Sequence, residues 1–118
     1  MKDRLFPPAT PMMSKKRAAL APDTTEAFRA FNRKVFSEGA LSARMKQVIA
    51  VAVAHVTQCP YCIRGHTRAA ARHGASAEEI MEAVWVASEM RAGAAFAHSA
   101  IALEALGDAG AHAPPDRG

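Results

Sequence analysis

Aromatic side chains are scarce in this chain: Phe, Tyr and Trp make up 6% of 118 residues, although half of the sequence is hydrophobic. Alanine fills the gap, at about a quarter of the chain. Long apolar runs are missing too. The most apolar window, Val48 to Val56, has nine residues and contains His55, where a membrane-spanning helix needs about 20. The opening, MKDRLFPPATPMM, lacks the apolar stretch of a secretory signal, so the expectation is a cytoplasmic protein with no membrane role. The net charge of +4 owes much to Lys2, Arg4, Lys15, Lys16 and Arg17. These read as a solvated arm, because no basic stripe with aromatic or polar readers accompanies them, and no nucleic-acid partner is expected. There is no dinucleotide fingerprint, internal repeat or strand-like alternation.

What is present reads as one all-α domain. Alanine favours helix but adds little volume, so such helices bury little area each, and association into a homo-oligomer is the expected remedy. Residues 1–21, with Pro7, Pro8 and Pro11, are expected to form an irregular arm. The helical domain should span 22–107, and a flexible Gly/Pro/Ala-rich tail 108–118. Within the domain, Asp23 or Thr24 would cap a first helix that ends near Glu38 at Gly39. Ser42 would cap a second, through Val48–Ala54 to about Thr57, read as buried helix despite its β-branched residues because it is too long for a strand. Pro60 opens a third, ending at His73-Gly74. Ser76 and Glu79 form a capping box for a fourth, Gly93 should break it, and a fifth would run from Ala94 to Leu106. Trp85 and Phe96 are assigned to the core, and His98 to the core or an interface.

Cysteine is scarce as well, and its two copies fall together in Cys59-Pro60-Tyr61-Cys62, with His66 four residues later. In a reducing compartment, that spacing signals redox chemistry or a metal rather than a structural staple. If Pro60 opens a helix, the first-turn N–H groups and the positive end of its dipole lie beside both sulfurs and favour thiolate. His66 lies one turn after Cys62 and can accept its proton. The spacing therefore marks Cys62 as the activated nucleophile and Cys59 as the thiol that closes the disulfide. Two rivals stand beside this reading. His55, Cys59, Cys62 and His66 form a compact H-x3-C-x2-C-x3-H run that could hold zinc, and a pair of inert buried thiols is the structural alternative. Tyr61, between the thiols, would shape access to them.

The run Leu41–Ala54, followed by Cys59-Pro60-Tyr61-Cys62, His66-Thr67, Ala69-Ala70, Gly74 and Glu78-Glu79-Ile80, resembles the AhpD-like core of the carboxymuconolactone decarboxylase family. That resemblance covers roughly residues 40–105 and implies an AhpD-like helical bundle of about five helices, assembled as a homotrimer or hexamer. It implies a thiol-dependent peroxidase or disulfide oxidoreductase that needs no cofactor. Cys62 would attack an organic hydroperoxide or disulfide substrate, and Cys59 would resolve the intermediate. His66 would relay protons, and an external dithiol reductant, in some members a lipoylated protein, would reset the pair.

Other members of the family are lactone or β-keto acid decarboxylases that do not depend on a dithiol, and a redox-sensing module is the non-enzymatic alternative. One departure stands out. Eleven residues separate Gln47 from Cys59, and the family signature E-x11-CxxC-x3-H has a Glu there. An amide cannot act as a base. Gln47 can hold the hydrogen-bond network while His66 handles the proton alone, or His55, eight residues on, can take the ionisable role.

Overall fold

A helix needs a start, a stop and a face to bury, and the chain supplies these repeatedly after its first ten residues. A computed structural model describes residues 5–111, the side chains of 108–111 excepted. These residues form five helices and no strand. They are α1 (Pro11–Leu20), α2 (Pro22–Val35), α3 (Ala43–Thr57), α4 (Pro60–Arg72) and α5 (Ala77–Ala111). Among the described residues, no helix is long and apolar enough to cross a membrane.

The centre of the fold is α3, which packs against both α4 and α5. Its buried residues Ala43, Gln47, Val51 and Ala54 recur at helical spacing and make one stripe. Val51 is wholly buried with Ala70 of α4 and Ala75, and Val48, Ile80 and Val84 close around them. The valines of α3 do not make a strand because both ends are fixed as helix ends. The Ser42 Oγ accepts the Met45 N–H at 3.0 Å, and Gln58 closes the helix in the left-handed region at φ 59°. The α5 start carries the expected capping box: Ser76 N–H donates to Glu79 Oε1 at 2.8 Å, and Glu79 N–H to Ser76 Oγ at 3.1 Å. The same carboxylate pairs with Arg44, joining α3 to α5. Arg44 first, then the Ser76 N–H, hold the Glu79 carboxyl below its ordinary range.

Several local expectations are corrected. The arm over 1–21 is not irregular throughout: α1 occupies Pro11–Leu20, where Thr10 Oγ1 accepts the Met13 N–H at 3.1 Å and Pro11 takes the first helical position. Proline there starts a helix instead of breaking one. Neither Asp23 nor Thr24 caps α2, which begins at Pro22 after Ala21. Its end is also earlier than Gly39. The chain leaves the helix at Phe36, and the Lys46 ammonium takes the freed carbonyls of Val35 (2.9 Å) and Ser37 (2.7 Å).

Gly93 is no break: α5 runs through it, and the helical path is interrupted only at Gly107 (φ 51°, ψ −142°). Flanked by good helix formers, one glycine weakens a helix without ending it. Beyond Gly107 helical backbone continues to Ala111, so the first residues of the expected tail are not loose coil, and the rest of it lies outside the described residues.

The lone chain is elongated, 64 × 33 × 32 Å with a radius of gyration of 21.2 Å, where a compact chain of this length would give about 13–14 Å. Trp85 (67% exposed) and Phe96 (81% exposed) are therefore not core residues here, and Phe28 and Phe31 of α2 are open too. His98 is exposed on the lone chain, which removes the core assignment and leaves the interface one.

Gly93 offers a direct check on the continuity of α5. A Cβ there would meet only the flexible end of Glu89, at 3.3 Å. Gly93→Ala should raise stability by about 0.5–1 kcal/mol in urea unfolding, the ordinary gain for Ala over Gly inside a helix. A helix broken at this point would lose stability instead.

Candidate dithiol site

The site is built by the turn between α3 and α4. After Gln58 reverses the chain, Cys59 N–H donates to Ala54 O at 3.2 Å, and Cys59 sits in extended backbone as the cap of α4. Its Sγ accepts the Cys62 N–H at 3.2 Å, the position a Ser or Asp side chain fills at other helix starts. Pro60 follows at the first helical position. The two cysteines approach to 2.8 Å and both are free thiols, Cys59 half-buried and Cys62 exposed.

These contacts divide the two sulfurs. The Cys59 thiol is held below its ordinary value, first by the hydrogen bond from the Cys62 side chain, then by the Cys62 N–H, with a smaller share from Tyr61 N–H. The Cys62 thiol is pushed up, first because it donates to Cys59, then by burial and by the Cys59 charge. These contacts favour Cys59 as the more acidic of the two thiols, whereas spacing pointed to Cys62 as the activated nucleophile. Spacing alone put His66 beside Cys62 but could not show which sulfur collects the helix N–H groups.

Cys62 and His66 nevertheless share a cavity. It measures about 570 Å³ and is walled by apolar residues, among them Phe36, Leu41, Ile49 and Val53. His66 is fixed on two sides. Its Nδ1–H donates to Gln47 Oε1 at 2.7 Å, and its ring stacks on Phe36, centroids 4.9 Å apart and planes 25° from parallel. Gln47 is buried on α3, 8% exposed. An amide oxygen can only accept, so in the neutral ring this bond places the proton on Nδ1 and leaves the lone pair on Nε2.

His55 does not join this group. Its Nδ1–H is spent on Val51 O of its own helix at 2.7 Å, and it does not line the cavity. The zinc set is not assembled either: among the described residues, no group of three or more His, Cys, Asp or Glu side chains stands ready to share a metal ion. His98 lies on α5 and is absent from the cavity wall. Sequence reasoning missed Phe36 and Lys46. Phe36 closes the apolar pattern of α2, which was the available signal. Lys46 anchors it through the two carbonyls already described, a tertiary contact with no sequence signature.

The matching family model decides the kinship. It is the carboxymuconolactone decarboxylase family, matched over residues 22–105. The chain belongs to that family. Protein 4 of the cox locus in Paracoccus denitrificans is 63% identical over 81 residues, covering 69% of this chain and 73% of that one. Among solved structures, a carboxymuconolactone decarboxylase family protein from Legionella pneumophila is 30% identical with a TM-score of 0.65, covering 82% of this chain and 87% of its own. Another, from Thermotoga maritima, for which a part in the antioxidative response has been suggested, is 27% identical with a TM-score of 0.52 and covers 71% and 96%.

The inequality of the two thiols in this family member is directly measurable. Alkylation with iodoacetamide across pH, read by peptide mass spectrometry, should label Cys59 at lower pH than Cys62. The opposite order would make Cys62 the more acidic thiol.

Proposed function

We propose that the chain is a dithiol peroxidase that reduces organic hydroperoxides, working as a cytoplasmic homo-oligomer reset by an external dithiol. The observation that carries this reading is the shared cavity. Cys62 and His66 line one apolar space, with His66 Nδ1 held by Gln47, and a second, more acidic sulfur touches Cys62 from outside it. The antioxidative role suggested for the Thermotoga maritima relative agrees with it.

The cycle assigns each group one task. His66 Nε2 takes the proton of Cys62, whose sulfur attacks the outer oxygen of the hydroperoxide. The O–O bond breaks, and the departing alkoxide recovers that proton and leaves as an alcohol. Cys62 is now a sulfenic acid. The Cys59 thiolate attacks the Cys62 sulfur, the S–O bond breaks, and hydroxide leaves as water with a proton passed in through His66. The Cys59–Cys62 disulfide results.

In the reset, a thiolate of the external dithiol attacks Cys62 and Cys59 is expelled. The more acidic thiol leaves faster, so the hydrogen bonds that hold charge on Cys59 serve both resolution and release. The donor's second thiol then attacks its own first sulfur, departs as a disulfide and returns Cys62. Gln47 keeps His66 in the tautomer that can accept a proton; it acts through His66 and does not touch the reacting atoms.

The homo-oligomer reading is supported by Phe28, Phe31 and Phe96, which stand open on α2 and α5. Apolar area of this kind is normally covered in a working protein. The CxxC spacing, more often redox-active than a structural staple, suits a reducing compartment.

The test is consumption of cumene hydroperoxide under excess dihydrolipoamide. Wild type should turn over repeatedly and Cys62→Ser not at all. His66→Asn should fall about 100-fold or more, the usual scale for a lost general base. With the dithiol left out, Cys59→Ser should stop after one step with a sulfenic acid on Cys62, trapped by dimedone. Equal activity in wild type and Cys62→Ser would refute the dithiol cycle.

A further inference from the structure

A second cavity lies on another side of α4, and the peroxidase cycle makes no use of it. Tyr61, Arg64, Gly65 and Arg68 fall at spacings of three, one and three and share one helix face. That face is about 130° round the helix from Cys62 and His66. Residues 5–9, before α1, fold over it. The Tyr61 hydroxyl donates to Pro7 O at 2.6 Å, and Phe6 meets the Tyr61 ring edge-on, centroids 6.0 Å apart. Between the arm and the helix is a space of about 700 Å³, bounded by Phe6 and Pro8 on one side and Tyr61, Arg64, Gly65 and Arg68 on the other.

Three properties of this space specify a ligand. Among the described residues its charge is of one sign: Arg64 and Arg68 are one helical turn apart, and no described carboxylate lines the cavity with them. Elsewhere Arg33 pairs with Glu26 and Arg44 with Glu79, whereas Arg64 and Arg68 form no ion pair among the described residues. Two adjacent guanidinium groups match the two oxygens of a carboxylate. The opposite wall is apolar. Finally, the floor is left open by Gly65, whose added Cβ would meet nothing within 4 Å. A glycine in mid-helix costs stability relative to alanine, and here its missing side chain is what leaves the space clear.

We propose that this cavity binds an amphipathic organic carboxylate, its head on Arg64 and Arg68 and its hydrocarbon body laid over Gly65 against Phe6 and Tyr61. The site is separate from the Cys62–His66 cavity and stands whether or not the peroxidase reading does. Bound ligand adds contacts to the arm, so occupancy is expressed at Tyr61, the residue directly before Cys62.

Tyr61 is the single tyrosine of the chain, so its ring resonances report on this cavity alone. Titration with octanoate, followed by NMR at Tyr61 and by calorimetry, should give saturable binding that shifts those resonances. Octanol and inorganic phosphate, each carrying half of the required chemistry, should bind at least about tenfold more weakly, as should octanoate to Arg64→Gln/Arg68→Gln. Gly65→Leu should abolish the shift while keeping native helix content and at least the native melting temperature, since the substitution fills open space and favours helix. Binding that leaves Tyr61 unmoved, survives in well-folded Gly65→Leu, or is matched by octanol or phosphate would overturn the proposal.

Discussion

The bond from His66 Nδ1–H to Gln47 Oε1 is the constraint on which the site depends. It joins α3 to α4 across the buried side of α3, beside the packing of Val51 on Ala70. A buried amide left without its partner would cost about 1–3 kcal/mol, so the same contact that orients the imidazole also helps fix the two helices. The Phe36 stack and the Lys46 tether hold the ring from the other side. Orientation of the imidazole and tertiary packing are one set of contacts. Glutamine suits this task because it accepts a hydrogen bond without competing for the proton, whereas a carboxylate there would both accept and titrate.

The two sulfurs differ because of where each stands on one helix start. Cys59 occupies the cap and collects backbone N–H groups; Cys62 lies within the first turn and faces the cavity. A short turn through a left-handed Gln58 imposes that difference. Non-glycine residues rarely adopt such a backbone, and here it allows α4 to begin almost where α3 stops. The chemistry is thus set by the turn as much as by the cysteines.

Much of this was legible in the residues, and the exceptions have physical reasons. Ser42, Pro60, Gly74 and the Ser76–Glu79 box marked their helix ends correctly because capping is local chemistry within one turn. The end of α2 was misplaced because Lys46, eleven residues beyond Val35, takes its carbonyls. Pro11 and Gly93 were read as interruptions because residue type was weighed without position: proline starts a helix in its first turn, and a lone glycine survives inside one. Five helices were expected and five are found, yet α1 is new and the last two expected helices are one. Cys59, Cys62, His66 and Gln47 were all visible as candidates. The ordering of the two thiols was not, since it depends on which atoms receive the α4 N–H groups. Trp85 and Phe96 were placed inside because hydrophobic residues usually are, and a single elongated chain has no interior at those positions.

The central claim is that Gln47 holds His66 with its proton on Nδ1 and its lone pair on Nε2. Long-range proton–nitrogen correlation on protein carrying 15N-labelled histidine, at mildly alkaline pH, reads this directly. The account predicts that His66 is the Nδ1–H tautomer in wild type and loses that preference in Gln47→Leu. A His66 that carries its proton on Nε2 in wild type would contradict it, because the imidazole would then offer Cys62 a donor where the cycle needs a base.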